Sequence, residues 1–228
     1  MKKKLLTLFL GLCGSALTLV GAQNANTKSS TSNSFNIDGW YLGASGSVGF
    51  HSNQKSKSTP AGAAREISFK TGGGGAVAVG LMFMENFRFE LEGSYRTNSV
   101  KKASTPTTGK ANASGSVEYT SLMVNAAYDI PAFENVIISL GGGLGWTYAK
   151  MGNVNRAGVR LLNSRGDNVL GWQLMAQIGY MFQEQFTLYV GYRLFSTTQP
   201  RYRNPAGGQL KMESPYLHNI DFGVRIHL

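Results

Sequence analysis

From Trp40 to the carboxyl end, apolar and polar residues alternate with a period of two, the spacing at which successive side chains of a β-strand point to opposite faces. Trp40, Leu42, Ala44, Val48 and Phe50 share one face of the first such segment, and Tyr41, Gly43, Ser45, Ser47 and Gly49 share the other. Phe87, Phe89, Leu91 and Tyr95 alternate with Arg88, Glu90, Glu92, Ser94 and Arg96. The last segment sets Ile220, Phe222, Val224, Ile226 and Leu228 against Asn219, Asp221, Gly223, Arg225 and His227. Three similar short turns, Met84-Glu85-Asn86-Phe87, Phe133-Glu134-Asn135-Val136 and Gln183-Glu184-Gln185-Phe186, each lead into an apolar strand. They recur about every 50 residues, as a repeated hairpin would. The pattern predicts eight strands, near 40–50, 67–83, 87–96, 117–130, 136–148, 169–182, 186–195 and 216–228. Three tight turns then fall at one end and four long polar connections at the other.

Short turns on one side, long loops on the other and strands of about ten residues are the layout of a transmembrane β-barrel. Lipid cannot hydrogen-bond an open sheet edge, so such a sheet must close on itself. The polarity is predicted to be inverted, with the apolar face outward. Trp40, Trp146 and Trp172 lie on the apolar parity near strand ends, where interfacial aromatics collect, and Tyr95, Tyr119, Tyr128, Tyr148 and Tyr180 also sit near strand ends. The opposite face, rich in glycine and charge, would make a poor hydrophobic core. A soluble sandwich with the apolar face inward is the weaker alternative.

Composition agrees. Of 228 residues, 42% are hydrophobic and 15% charged, and the 29 glycines follow no collagen-like period. Each glycine would cost a helix roughly 1 kcal/mol, which points to an all-β chain. The amino terminus reads as an export signal: Lys2, Lys3 and Lys4 precede an apolar run from Leu5 to Val20, and Val20-Gly21-Ala22 offers small residues for cleavage. The expected organisation is a signal peptide over 1–22, a flexible periplasmic leader over 23–38 and an outer-membrane barrel over 39–228. Cys13, the one cysteine, would leave with the signal, so no disulfide or thiolate chemistry is expected.

The eight-strand pattern, the signal and the alternating last strand resemble the small Gram-negative outer-membrane β-barrel superfamily, including opacity proteins and outer-membrane protein A type barrels. The segments Ser121 to Ile130 and Tyr189 to Phe195 resemble stretches of surface antigens in that superfamily. The resemblance implies that Phe222, Val224, Ile226 and Leu228 form the assembly signal read by the barrel-assembly machinery. Those families usually end in Phe; this chain ends in Leu228.

Within the barrel, Arg88, Glu90, Glu92, Arg96, Arg193, Asp221 and Arg225 are expected to face the lumen and to pair, since an isolated charge there is costly. Glu90 and Glu92 are expected to bridge to Arg193 and Arg225, as a structural plug or as a gate. Lys70 is placed inward as well. The many inward glycines are assigned to tight curvature ahead of a wet cavity.

The net charge is +10, and the long connections are strongly basic, with Lys101, Lys102, Arg156, Arg160, Arg165, Arg201 and Arg203 among their cations. Such loops attract anions. The expected partners are outer-membrane lipid and lipopolysaccharide, the assembly machinery and host or surface glycans. Nucleic acid is not among them, because the loops carry few aromatics for stacking. His51, His218 and His227 fall at no metal-binding spacing, so neither enzymatic activity nor a cofactor is expected. The resulting expectation is a monomeric barrel with a structural and surface-interaction role, of the antigen or adhesin class. The alternative is a narrow porin for small ions or solutes.

Overall fold

The computed structural model describes residues 39–56, 66–83, 86–104, 109–156, 159–162, 165–182, 185–203 and 209–228. The expected signal peptide and leader lie outside these residues, as do Glu85 and Glu184 of two of the three turns. The third turn, at Glu134-Asn135, is formed as expected.

The described strands are β1 (Gly39–His51), β2 (Gln54–Lys55), β3 (Glu66–Phe69), β4 (Gly72–Phe83) and β5 (Phe87–Ser104). They continue as β6 (Ala111–Asn112), β7 (Ser116–Phe133), β8 (Val136–Met151), β9 (Val154–Arg156) and β10 (Val159–Leu162). The last five are β11 (Arg165–Phe182), β12 (Phe186–Thr197), β13 (Arg201–Arg203), β14 (Gln209–Lys211) and β15 (Tyr216–His227). Eight of them pair antiparallel in the order β1, β4, β5, β7, β8, β11, β12, β15. β15 then returns to β1, from Tyr41 opposite His227 to His51 opposite Leu217. The ring is closed and leaves no unpaired edge.

Wall polarity follows the alternation. On β7, Val124 is 63% exposed while its neighbours Met123 and Asn125 are fully buried. Trp40 and Trp146 face outward, and so do Leu91, Leu140, Leu174 and Phe222. Arg88, Glu92, Arg96, Arg193, Asp221 and Arg225 are buried inside. The all-β, eight-stranded, inside-out barrel predicted from the alternation is therefore the fold observed.

Three expectations need correction. The predicted strand 67–83 is two strands, β3 and β4, interrupted at Lys70 and Thr71. Lys70 is exposed there and not lumenal, because the break releases it from the inward parity. Tyr119 does not join the lipid-facing aromatics: it is fully buried, on the inward parity of β7.

The long connections also hold more order than a sequence rich in Lys, Ser and Gly suggests. β3 pairs with β2 and with the upper part of β5, and β6 joins β5 on its other side. Bridges from Ser56 to Met212 and from Ser114 to Asn155 tie these pieces together. In this extension Ile67, Val100, Ala103, Val154 and Met212 are buried, while Lys55, Lys101 and Lys102 are exposed. The wall has thus reversed polarity: beyond the lipid band its outer face meets water, so the apolar residues turn inward.

Candidate functional site

The lumen is built in two tiers. The lower tier follows from the charged parity of β5 meeting its counterparts on β7, β11, β12 and β15. Arg193 sits at its centre, donating from Nε to Asp221 Oδ2 at 2.6 Å and from Nη1 to both Glu92 oxygens at 2.6 and 2.7 Å. Gln173 Oε1 accepts a further bond from Arg193 at 3.1 Å. Arg96 lies 3.7 Å from Glu92 and stacks 4.6 Å over the Phe195 ring. Arg88 donates to Asp129 at 3.1 Å and pairs with Glu90, whose Oε1 also accepts from the Tyr41 hydroxyl at 2.6 Å. Asn125 donates to Glu90 and Glu92, each at 3.3 Å.

Arg88, Arg96 and Arg193 therefore face four carboxylates, and pairing and hydrogen bonding of this kind offset the cost of burying the charges. The expected partnerships hold in part. Glu92 does pair with Arg193, but Glu90 pairs with Arg88 and Tyr41. Arg225 instead hydrogen-bonds Gln177 and lies 4.3 Å over the Tyr189 ring.

The upper tier is apolar. Tyr119, Met123, Met151, Phe195 and Leu217 are fully buried and pack with Val117, Ala149 and Val169. His51 edges this layer, 3.9 Å from the Phe69 ring and with Nε2 3.0 Å from the Tyr119 hydroxyl. A void of about 10 Å³ lies between the charged side chains, lined by Glu90, Glu92, Gln177, Tyr189, Arg193 and Arg225 among others. That volume is close to the least that holds a single water.

Some inward glycines are explained by this filling. A Cβ on Gly80 would stand 2.1 Å from the Tyr41 ring, and one on Gly143 would stand 1.9 Å from Asn125 Oδ1. Gly80 and Gly143 thus admit large lumenal side chains, whereas a Cβ on Gly141 or Gly145 would meet the backbone of β7 at 2.7 and 2.1 Å, where the close strand approach of the curvature reading applies. Tyr41, Asn125, Asp129, Gln173 and Gln177 belong to the lumenal network although the sequence reading did not single them out. Each lies on the polar parity of its strand, and that was the available signal.

At the extracellular end, Lys55, Lys70, Lys101, Lys102, Lys110 and Arg201 are exposed. Lys110 Nζ pairs with Glu66 at 2.7 Å, which holds the Glu66 carboxyl below its ordinary range, and Lys150 pairs with Glu118 at 3.2 Å. Lys70, Lys101 and Lys102 have no such acidic partner among the described residues. The side chains of Arg156, Arg160, Arg165 and Arg203 lie outside what is described, although their backbones run in β9, β10, β11 and β13. Trp172 is half-buried, meeting Tyr216 edge-on at 6.3 Å, and Tyr192 and His218 form a 2.6 Å hydrogen bond near the same level. Phe222 and Ile226 of the expected assembly signal face outward on the last strand, and Val224 is partly exposed between them.

Among the described residues no group of three or more His, Cys, Asp or Glu side chains is arranged to hold a metal ion. A family model described as outer membrane protein beta-barrel domain matches residues 13–225. Neisserial surface protein A (NspA) is similar in structure, with a TM-score of 0.53 at 16% identity, over 83% of this chain and 97% of that one. The outer membrane protein OprG from Pseudomonas aeruginosa gives a TM-score of 0.53 at 15% identity, over 84% of this chain and 98% of that one. No curated protein matches.

Proposed function

The chain belongs to the outer membrane protein beta-barrel domain family, and on that premise we propose that it serves a structural and surface-interaction role of the antigen or adhesin class. In this reading a filled barrel acts as a membrane anchor, and its folded extracellular extension offers cations to anionic glycans on other surfaces. The observation that carries this is the closed lumen. A charged tier with a void of about 10 Å³ lies beneath a layer of packed apolar side chains, so the strands deliver their side chains to stability and the exposed chemistry lies outside. Apolar constrictions also oppose ion passage by shedding water, which weighs against the narrow-porin reading.

The extension suits the role physically. Its own apolar core fixes the backbone beneath Lys101 and Lys102, so these charges are presented without the ordering cost a loose loop would bear on binding. The test pairs two measurements on the full chain in zwitterionic nanodiscs and planar bilayers. Retention on immobilised heparin, lost as salt rises, with no discrete conductance steps, is the expected outcome. Reproducible steps with no retention on heparin would overturn the proposal in favour of the porin.

A further inference from the structure

The lipid-facing wall carries a shallow trough of about 660 Å³ across β4, β1, β15 and β12, lined by Ala44, Gly46, Gly75, Val77, Phe222 and Val224 among others. Its floor is low for want of side chains. A Cβ on Gly46 would meet nothing within 4 Å, and one on Gly75 would meet only the Ser45 carbonyl at 3.3 Å. These outward glycines make room for nothing in the protein, unlike Gly80 and Gly143 inside. Glycine weakens a strand and often marks a place where another molecule comes close.

The trough does not end in hydrocarbon. Up β4, the outward parity passes Gly73, also without a side chain, and reaches the break at Lys70 and Thr71. The Lys70 backbone is fixed there, donating to Ser99 O at 2.8 Å and accepting from Asn98 Nδ2 at 3.1 Å. Ser68 and Phe69 pair with Lys102 and Val100, which brings Lys101 and Lys102 onto the same side of the barrel. The five steps from Gly75 to Lys70 span roughly 17 Å along the strand at about 3.3 Å each. With the usual strand tilt, that is about half the height of the ~25 Å apolar band. The trough is therefore near mid-membrane, and the three exposed cations, which have no acidic partner among the described residues, stand at the outer headgroup level above it.

We propose that this surface docks a phosphorylated glycolipid of the outer leaflet, one acyl chain lying in the trough and a phosphate held by Lys70, Lys101 and Lys102. The pairing of an apolar trough with overlying cations fits an amphiphile carrying both an acyl chain and an anionic head. A second copy of this chain would fill the trough and leave the lysines without a counter-charge, since the same cations would come with it. The inference rests on membrane placement and shares Lys101 and Lys102 with the glycan-binding proposal; heparin carries no acyl chain, so the lipid measurement below tests it separately.

The test is native mass spectrometry of the full chain in zwitterionic detergent, offered diphosphoryl lipid A or its dephosphorylated counterpart. Each basic residue at a membrane surface contributes about fivefold in affinity, so three lysines give a preference for the phosphorylated lipid on the order of 100-fold. Lys70→Gln should reduce that preference about fivefold, and combined Lys70→Gln, Lys101→Gln and Lys102→Gln should abolish it. Gly75→Leu or Gly46→Leu should weaken both lipids together, while Ala126→Leu on the far wall should change neither. Heat-modifiable gel mobility verifies that each variant is folded. Equal retention of both lipids by the wild type would overturn the proposal. So would unchanged binding in folded Gly75→Leu and Gly46→Leu, or a wild-type dimer that Gly46→Leu dissolves.

Discussion

Replacing Arg193 by Met tests the lumenal network at its centre. Met keeps much of the side-chain volume and removes the charge that Glu92 and Asp221 share at 2.6 Å. After the change Glu92 retains Arg96 at 3.7 Å and amide contacts from Gln173 and Asn125. Asp221 loses the ion pair it makes with Arg193, and both carboxylates remain buried. Breaking a buried pair from one side costs about 3–5 kcal/mol, because the partner stays desolvated. Arg225→Met is the internal comparison: Arg225 has no carboxylate within ion-pair distance among the described residues and holds Gln177 and Tyr189 instead, so about 1–2 kcal/mol is expected. Reversible urea unfolding in lipid vesicles reads both. With a urea slope of about 1–3 kcal/mol per molar, Arg193→Met should lower the midpoint by roughly 2 M. Adding Asp221→Asn to Arg193→Met should bring stability back to within about 1 kcal/mol of wild type, since Glu92 keeps Arg96 and no buried carboxylate is then orphaned. A loss below about 1 kcal/mol for Arg193→Met, or one equal to that of Arg225→Met, would refute the reasoning.

Other outcomes follow from the same geometry. Gly80→Ala should destabilise by about 1–3 kcal/mol, since its Cβ would sit 2.1 Å from the Tyr41 ring, whereas Gly46→Ala should be near neutral; the urea midpoints of the two variants decide this. Val124→Arg, at the centre of β7 and 63% exposed, should cost about 2–4 kcal/mol in a bilayer, and much less in detergent, where the headgroup reaches water sooner. Glu92→Gln should leave planar-bilayer recordings silent, because the apolar tier around Tyr119 and Phe195 still closes the lumen; discrete steps in that variant would show that the ion pairs alone form the seal.

The barrel was legible in the sequence because one physical rule operated without interruption from Trp40 to Phe50 and from Phe87 to Arg96: lipid outside, charge inside. The same rule located Arg88, Glu92, Arg193 and Asp221 in the lumen. It could not choose partners, since Glu90 meets Arg88 and Tyr41 through side-chain reach and strand stagger, which alternation does not encode. It misplaced Tyr119 because an aromatic near a strand end suits an interfacial belt or an interior cork equally well. The reversal of polarity above the membrane was hidden for a related reason. Ile67, Val100 and Met212 are single apolar residues among lysines and serines, and their burial depends on contacts between distant connections. Lys70 escaped its assigned face because a two-residue interruption shifts parity without leaving a compositional mark.

A spin-label scan along β5 addresses the polarity of the wall itself. Single cysteines are placed one at a time from Phe89 to Ser104 in a Cys13→Ala background, and collision rates with oxygen and with a water-soluble nickel reagent are measured in vesicles. Labels at Phe89, Leu91, Gly93 and Tyr95 should collide with oxygen and be hidden from nickel. Those at Lys101 and Lys102 should show the reverse, and those at Val100 and Ala103 should meet neither reagent. Oxygen exposure at Glu92, Ser94 and Arg96, with Leu91 and Tyr95 shielded, would contradict the inside-out barrel and everything built on it.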